Sequence, residues 1–296
     1  MMDQAQSLRQ LVSSQEPKRS SGGGTSARII TVCSGKGGVG KSNFTLNFAL
    51  ALKALGKRVL LFDADIGMAN IDVLMGVSAR YNLYHLLKRE ADISKIIQKG
   101  PTGLPFIAGG SGMDELFSLS EADLSYFTDQ IAGIADSMDY ILFDTGAGLS
   151  KETMKFITSA DDCLVVTTPE PTAITDAYAL IKVVNNSHPD ISFKLIVNQA
   201  GDEKEAAVTS DKIRMAANRF LQLEISFLGF ISSDTHVVQA VKKQIPFSVA
   251  FPNSAAAKDV HRLALSYLAA DSADTTKVQG IKGFISRWLK RTHELF

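Results

Sequence analysis

The most constraining feature of this chain is a glycine-rich loop between an apolar run and a helical pattern. The apolar run is Arg28 to Val32, and the helical pattern begins at Asn43. The loop matches the spacing G-x-x-x-x-G-K-S, with the residues Gly35, Lys36, Gly37, Gly38, Val39, Gly40, Lys41 and Ser42. A strand, a glycine loop and a helix in this order direct backbone N–H groups and a helix N-terminus at anionic oxygens. The pattern therefore predicts a phosphate cradle; a glycine-rich turn that merely precedes a helix is the alternative.

The last two residues of the loop have specific predicted roles. Lys41 should reach the β- and γ-phosphates of a nucleoside triphosphate, and the Ser42 hydroxyl should ligate Mg²⁺. We therefore expect all eight loop residues to contact a nucleotide and Mg²⁺ to bind beside them.

Composition and charge fit one α/β domain with tails. The chain has 296 residues and a formal net charge of zero. That length suits a domain of about 250 residues, and the charge gives no broad electrostatic case for nucleic-acid binding. The polar start argues against a secretory signal, and no apolar run approaches the ~20 residues that span a bilayer, so we expect the cytoplasm. Cys33 and Cys163 lie in predicted strands and are interpreted as small buried side chains, without disulfide or metal spacing.

Apolar runs alternate with helical patterns through residues 28–270, and several runs are continuous, as in strands buried on both faces. The predicted strands are Arg28–Ser34, Val59–Asp63, Leu104–Gly109, Tyr140–Asp144, Asp162–Thr168, Phe193–Asn198 and Phe227–Ile231. The predicted helices are Asn43–Leu55, Tyr81–Lys88, Glu121–Ala135, Ser150–Ser159, Thr172–Asn186, Thr209–Leu221, Thr235–Gln244 and Ala255–Ala270. This alternation predicts a doubly wound, mostly parallel α/β sheet with helices on both faces and ligands at the carboxyl ends of its strands.

Aspartates end two of the predicted strands. Asp63 and Asp65 are two residues apart, so both side chains should face one side near the strand tip. Asp144 follows four apolar residues and precedes a glycine-containing loop, the pattern of a strand that binds Mg²⁺. We expect Asp144 to bind the ion mostly through water, because Mg²⁺ keeps several of its waters. Strand-end carboxylates without a catalytic role are the alternative for Asp63 and Asp65.

The early lysine of the loop carries a resemblance to a known family. With Lys36 at its second position, the loop resembles the deviant Walker A loop of the MinD/ParA class of P-loop ATPases. In that class the early lysine reaches across a dimer interface to the partner's nucleotide, much as an arginine finger does. The resemblance implies a homodimer that forms with ATP. A solvated lysine in a flexible loop is the alternative.

The same resemblance assigns roles around the phosphates. Residues 63–70 resemble the switch I segment of MinD-like ATPases, which implies that Asp65 positions or polarises the attacking water and that Asp63 supports the Mg²⁺ shell. The switch II segment follows Asp144 and has Gly146 where the family frequently has proline, which implies a looser switch.

Three further positions are implied to contact the nucleoside. Asn198 ends a strand and can read the adenine edge, and Gly201 replaces the acid that guanine-specific P-loop proteins commonly carry, which favours ATP over GTP. Ile231 lies in a segment that resembles the family's base-flanking loop. Glu170 lies in a proline-rich loop beside the dimer seam, where it is expected to touch the partner's nucleoside; ordinary turn chemistry is the alternative.

The C-terminal segment has a separate pattern. After a polar spacer at 271–279, residues 280–296 place apolar side chains at spacings of three and four with basic residues on the flanks. The apolar residues are Ile281, Phe284, Ile285, Trp288 and Leu289. A basic amphipathic helix with an aromatic residue is typical of an interfacial anchor on an anionic membrane. One such helix should bind reversibly, and two on a dimer more strongly. A helix docked on the domain by the same stripe is the alternative.

The N-terminal residues narrow the resemblance to one branch of the class. Residues 1–12 have helical potential and precede a Ser/Gly-rich flexible linker at 13–27. They resemble the leading motif of the FlhG (YlxH/FleN) family, MinD-like ATPases that govern flagellar number and position, in which this segment stimulates the FlhF GTPase. Gln4, Leu8 and Arg9 are expected to carry that activity; a frayed terminus is the alternative.

The combined hypothesis is an ATPase that cycles between the cytoplasm and the inner face of the cell membrane with slow hydrolysis driven by Asp65. Its expected partners are a second copy, an FlhF-type GTPase, an anionic membrane and flagellar basal-body components, with no nucleic acid. A cell-division MinD, a DNA-binding ParA and a nucleotide-switched scaffold with negligible turnover are rival interpretations. An iron–sulfur carrier of the same superfamily would need a surface Cys-x-x-Cys, which the sequence lacks.

Overall fold

A computed structural model of the chain describes residues 26–65, 70–100, 102–110, 121–273, 278 and 280–290. Eight strands are present in this part: β1 (Arg28–Cys33), β2 (Val59–Ala64), β3 (Ile97–Lys99), β4 (Pro105–Ile107), β5 (Tyr140–Thr145), β6 (Asp162–Thr167), β7 (Phe193–Ala200) and β8 (Ser226–Ser232). The first helices in the same part are α1 (Lys41–Ala54), α2 (Ile71–Leu74), α3 (Leu83–Leu87), α4 (Ile93–Ile96), α5 (Glu121–Ala135) and α6 (Lys151–Ser159). The later ones are α7 (Pro171–Ser187), α8 (Glu203–Leu221), α9 (Thr235–Lys242), α10 (Phe247–Ala250), α11 (Ala255–Ala273) and α12 (Gly280–Lys290).

The strands form one sheet in the order β3-β4-β2-β5-β1-β6-β7-β8. All neighbours are parallel except β3 and β4, which pair antiparallel. In the register of β2 and β5, Asp63 lies opposite Asp144, and Val32 of β1 lies on the other side of Asp144. The predicted doubly wound sheet is therefore confirmed, and the carboxyl ends of its central strands bring the phosphate loop and the strand-end aspartates together.

Some boundaries differ from the predicted ones for local reasons. The short strand β3 was not predicted, because Ile97-Gln98-Lys99 is too short and polar to stand out as an apolar run. Helix α8 begins six residues before the predicted Thr209, since the carboxylate of Asp202 caps the N–H of Glu205 at 2.7 Å. Helix α11 continues to Ala273, so the predicted spacer at 271–279 begins inside this helix.

Helices cover both faces of the sheet. On one face α1 and α11 pack over a core that includes Phe44, Phe48 and Tyr267. On the other face a separate core is built from α5, α6 and α12, with α7 and α8 covering the neighbouring strands. The largely apolar strands β1, β5 and β6 are buried throughout their length, as expected for central strands covered on both sides.

A buried ionic network closes the amino ends of the central strands. Arg28, at the start of β1, pairs with Asp162 at 2.6 Å and with Asp271 of α11 at 2.7 Å. The hydroxyl of Tyr267 donates to Asp162 at 2.6 Å, and Lys194 pairs with the same carboxylate. Hydrogen-bonded partners on all sides allow these charges to be buried, so the network fixes α11 to the sheet at the end opposite the phosphate loop.

The C-terminal helix α12 lies against the domain. Its predicted apolar stripe is buried at Ile281, Phe284, Ile285 and Trp288. Phe284 stacks on Phe143 of β5 with ring centroids 4.9 Å apart. In this conformation the four side chains occupy an apolar groove formed by the sheet and α6, as in the docked alternative, and their binding to a membrane stays a prediction. The side chain of Leu289 lies outside the described residues.

Polar contacts also fix the position of α12. The Nε of Arg287 donates to the backbone oxygen of Ser159 at 2.8 Å, and its Nη2 lies 3.1 Å from Asp161. Asp161 also accepts the N–H of Ile29 at 3.0 Å, so one carboxylate links the start of β1 to α12. Within the described residues, no helix is both long enough and apolar enough to cross a bilayer.

Candidate nucleotide site

The glycine loop joins β1 to α1 and depends on glycine at two close approaches. Gly40, directly before α1, has φ +83°, and a Cβ there would lie 2.4 Å from Nδ2 of Asn198. A Cβ on Gly35 would lie 2.2 Å from the backbone of Asp176 in α7. Larger residues at either position would push the loop away from the elements that support it.

The loop forms the floor of a cavity of about 880 Å³ at the carboxyl ends of the strands. All predicted loop residues from Lys36 to Ser42 line it, and only Gly35 of the eight lies behind them. A Cβ on Gly37 or Gly38 would meet no atom within 4 Å, so the backbone there faces open space. A glycine backbone beside a helix N-terminus, with a lysine and a hydroxyl, fits a polyphosphate group.

Lys41 is held at the floor of this cavity by a buried carboxylate. Its Nζ lies 2.9 Å from Oδ1 of Asp144 and 3.5 Å from the hydroxyl of Ser42. The Thr45 hydroxyl donates to the same Asp144 oxygen at 2.8 Å. Because Lys41 and Asp144 are both buried, each charge is compensated by the other. The pair places a cation and the predicted Mg²⁺ ligands within one hydrogen-bonded group.

Thr45 was not predicted as part of the site. The signal that could have found it is its spacing, since residues four apart on a helix share a face and Thr45 follows Lys41 by four. It is buried, and its hydroxyl also lies 2.9 Å from the backbone oxygen of Lys41. Thr45 therefore positions Asp144 from the second turn of α1.

Asp63 and Asp65 have different surroundings. Asp63 is buried and accepts the backbone N–H groups of Asp65, Asn70 and Ile71 at 3.2, 2.9 and 3.0 Å. Burial, and then the nearby Asp144 carboxylate, raise the pKa of Asp63 to about 7. Asp65 lines the cavity, whereas Asp63 does not.

The expectation that both aspartates face the same side at the strand tip is wrong in this conformation, because β2 ends at Ala64 and its two-residue alternation ends with it. Asp63 orders the turn that carries Asp65. In this conformation the carboxylate oxygens of Asp63 accept hydrogen bonds from backbone N–H groups. The role of Asp63 in the Mg²⁺ shell stays a prediction. Residues 66–69 of the predicted switch I segment lie outside the described residues.

The segment after β5 is tied to the phosphate loop. The N–H of Gly148 donates to the backbone oxygen of Ser34 at 2.9 Å, and the Thr145 hydroxyl donates to that of Val32 at 3.0 Å. Gly146 lines the cavity, and a Cβ there would lie 3.6 Å from Oδ1 of Asp65. The two predicted switch segments therefore meet at the cavity wall.

Lys36 lies at the mouth of the cavity, where its Nζ is 3.0 Å from both Oε2 of Glu170 and the hydroxyl of Thr172. The side chains of Lys36 and Glu170 are 40% and 65% exposed. An ion pair this exposed is held weakly, so Lys36 can exchange Glu170 for another anion. The predicted contact of Lys36 with a partner's nucleotide stays a prediction.

The two predicted base contacts on later strands lie outside the cavity lining. Nδ2 of Asn198 donates to the backbone oxygen of Val39 at 2.7 Å, so in this conformation Asn198 supports the loop from behind. The side chain of Ile231 is 2% exposed and packs in the core beside α11, so it does not reach the cavity in this conformation, and the place of Ile231 in a base-flanking loop stays a prediction. The alternation of β8 directs Ile231 inward.

Fold and geometry together define a P-loop nucleotide-binding protein with a second lysine at the mouth of its site. A protein-family model described as an AAA domain matches residues 27–197. The flagellum site-determining protein YlxH of Helicobacter pylori is 38% identical over 295 residues, which cover 98% of this chain and 99% of that protein. The antiactivator FleN of Pseudomonas aeruginosa is 37% identical over 229 residues, 77% of this chain and 82% of that protein. The chain belongs to the MinD/ParA class of P-loop ATPases, in the branch of YlxH and FleN.

Solved structures agree with this assignment. The cell division ATPase MinD of Pyrococcus furiosus has a TM-score of 0.66 at 26% identity, covering 82% of this chain and 99% of that chain. MinD of Pyrococcus horikoshii, complexed with Mg-ADP, has a TM-score of 0.66 at 25% identity, covering 84% and 100%.

Proposed function

We propose that this protein hydrolyses ATP with Mg²⁺ in a dimer of two copies and that this cycle regulates flagellar number and placement. The observation that carries the proposal is one cavity lined by Lys36, Lys41, Ser42 and Asp65, with Asp144 buried beneath it. The expected cofactors are ATP and Mg²⁺, and the expected turnover is slow.

The side chains divide the chemistry between them. Lys41 neutralises charge on the β- and γ-phosphates, and Ser42 and Asp144 hold the Mg²⁺ ion, with Thr45 orienting Asp144. When bound, the ion withdraws charge from the phosphate oxygens. Asp65 orients the attacking water from the wall of the cavity, and the backbone around Gly146 senses the terminal phosphate.

The mouth of the cavity supports the proposed dimer. Val73, Leu149 and Val241 are 47%, 42% and 38% exposed. Val73 and Val241 line the cavity, and Leu149 directly precedes the lining residue Ser150. Exposed apolar side chains around a site mark an interaction surface, and Lys36 at the same mouth is loosely held. A second copy closing on this face would bring its own Lys36 toward the opposite nucleotide.

The flagellar role rests on the relatives, whose names are a flagellum site-determining protein and an antiactivator. The proposal includes activation of an FlhF-type GTPase by residues 1–12, which lie outside the described residues. It also includes contact with flagellar basal-body components. A septum-site role is the second candidate, favoured by the 29% identity to MinD of Helicobacter pylori over 230 residues.

Two forms of the protein test the flagellar branch. The full chain and a chain lacking residues 1–12 are added to purified FlhF, and GTP hydrolysis is measured. Stimulation by the full chain only supports the proposal. Equal rates with both chains contradict it and leave the septum-site role. Glu203→Gln in the full chain, an exposed change on α8, serves as the control and should stimulate as the unchanged chain does.

We extend the proposal to the membrane. When ATP closes the dimer, α12 leaves its groove and binds the anionic inner face of the cell membrane. Asp161→Asn tests this without altering the helix, because it removes the charge that Arg287 contacts while an oxygen remains for the N–H of Ile29. Sedimentation with phosphatidylglycerol vesicles should rise for this variant in the absence of ATP. Asp136→Asn, an exposed change, is the control. No vesicle binding by either protein, with or without ATP, would contradict the membrane step.

A further inference from the structure

A second cavity, of about 590 Å³, lies at the other end of the helix that follows the phosphate loop. Its walls are the last turns of α1, the turn at Thr102, and the segment from α10 into α11. None of the residues that line it lines the nucleotide cavity. Helix α1 therefore runs from one cavity to the other.

The lining has the chemistry of an anion site with an apolar floor. The ionisable side chains among the described residues that line it are Lys53, Lys258 and His261, with no Asp or Glu. Asn253 and Ser248 add hydrogen-bonding groups, and the remaining lining is mostly apolar. A concave, mostly apolar pocket with a few convergent polar groups is the usual form of a small-molecule site.

Two observations show that one wall is fixed and polar. Nζ of Lys53 donates to the backbone oxygen of Thr102 at 2.9 Å, which holds that cation beside the turn. The hydroxyl of Thr102 is buried and has no hydrogen-bond partner among the described residues. Buried hydroxyls are usually partnered, so this one is a spare polar group beside the cavity wall.

We propose that this cavity binds a small organic anion, an apolar body carrying a phosphate or carboxylate group. The two lysines attract the anionic group, and the side chains of α1 and the α10–α11 segment take up the apolar body. Charge complementarity selects the ligand class, because an anion entering here meets cations and no carboxylate among the described lining residues.

A buried amide connects the two cavities. Nδ2 of Asn47 donates to the backbone oxygen of Asn43 at 2.8 Å, and its Oδ1 accepts the N–H of Ser248 at 2.9 Å. Asn43 lines the nucleotide cavity and Ser248 lines the second one. A ligand that shifts α10 therefore acts on the first turn of α1, so occupancy of the second cavity regulates nucleotide affinity. This coupling rests on the proposed nucleotide site, whereas the binding itself does not.

The binding is tested with phenyl phosphate and benzoate as probes, titrated by calorimetry into the full chain saturated with Mg²⁺ and ADP so that the phosphate loop is filled. Lys258→Glu should weaken binding at least tenfold, and Lys212→Glu, the same charge change at an exposed position on α8, should leave it unchanged. Binding of both probes supports a general organic anion, and binding of one assigns the phosphate or the carboxylate. Equal binding of neutral benzyl alcohol, or the same affinity in Lys258→Glu, would overturn the proposal.

The coupling has its own readout. Saturating phenyl phosphate should change the affinity for ADP at least threefold, and ADP should change the affinity for phenyl phosphate by the same factor. An unchanged ADP affinity overturns the coupling and leaves the binding in place. Normal probe binding by a chain that binds no ADP would instead contradict the proposed function.

Discussion

The two ends of the same parallel sheet bury charge in opposite ways. At the amino ends, Arg28 pairs with both Asp162 and Asp271, and packed helices enclose the group. At the carboxyl ends, Lys41 and Asp144 are paired at the floor of an open cavity, beside glycines that face empty space. The first arrangement leaves nothing for a ligand to satisfy, whereas the second presents a cation and hydroxyls to an incoming anion. Burial of charge alone therefore does not identify a functional site.

The largest expected effect lies at the amino ends. Asp162→Ala removes the carboxylate that Arg28, Lys194 and Tyr267 share, leaving buried cations without it. We expect the free energy of unfolding to fall by about 3–5 kcal/mol, measured by urea denaturation, with ADP affinity unchanged in the folded protein. Asp211→Ala, which breaks the exposed pair with Arg214, should cost under ~1 kcal/mol. Equal losses in both variants would remove the distinction between the two kinds of pair.

Lowering the pH tests the ionic network at the amino ends separately. Burial raises the pKa of Asp162, but Lys194 and Arg28 outweigh it and hold that pKa below its ordinary value of 3.8. Because the folded-state pKa is the lower one, the stabilisation is present above about pH 4 and is lost as pH falls through the folded pKa. Urea denaturation between pH 5 and 2.5 should show this fall in the unchanged protein. A free energy of unfolding that stays constant below pH 4 would contradict the assignment.

A smaller effect is expected at the carboxyl ends. Thr45→Val removes one hydrogen bond to Asp144 while conserving shape, so the free energy of unfolding should fall by about 1 kcal/mol. Hydrolysis of ATP should slow as well, because Asp144 loses an orienting partner. Thr175→Val, which removes an exposed hydroxyl bonded to the oxygen of Pro171, is the control. An unaltered rate of ATP hydrolysis in Thr45→Val would show that the hydrogen bond from Thr45 is not required to orient Asp144.

The smallest effect concerns the cavity mouth. Glu170→Gln weakens the exposed contact with Lys36 and should change the free energy of unfolding by no more than ~0.5 kcal/mol. Thermal and urea denaturation measure it, with Glu224→Gln as an exposed control. A fall in the free energy of unfolding of more than ~2 kcal/mol would contradict this prediction. The Lys36–Glu170 pair would then stabilise the fold, as the ionic network at the amino ends does.

Sequence patterns predicted the parts of the molecule that depend on local order. The loop 35–42 was identified because its glycines, lysine and serine are contiguous, and β5 and β6 because their apolar runs are unbroken. The roles of Asp63 and Asn198 were less predictable, because each depends on which backbone atoms lie beside the side chain after folding.

The C-terminal helix shows a second limit of sequence. An amphipathic stripe predicts that a helix packs against an apolar surface, but it does not distinguish a membrane from a groove on the protein. Only the fold reveals that Phe143 and Phe156 lie beneath Phe284 and Trp288.

The most direct test of the account is single-turnover hydrolysis of ATP with Mg²⁺. Asp65→Ala should lower the hydrolysis rate by about 10²–10⁴-fold, with the affinity for ATP within a factor of three and stability unchanged, since Asp65 lies on the cavity wall. Asp136→Ala, a matched exposed aspartate, should hydrolyse ATP like the unchanged protein. Equal hydrolysis rates in Asp65→Ala and Asp136→Ala would contradict the central claim that the carboxyl-end cavity is the site of hydrolysis.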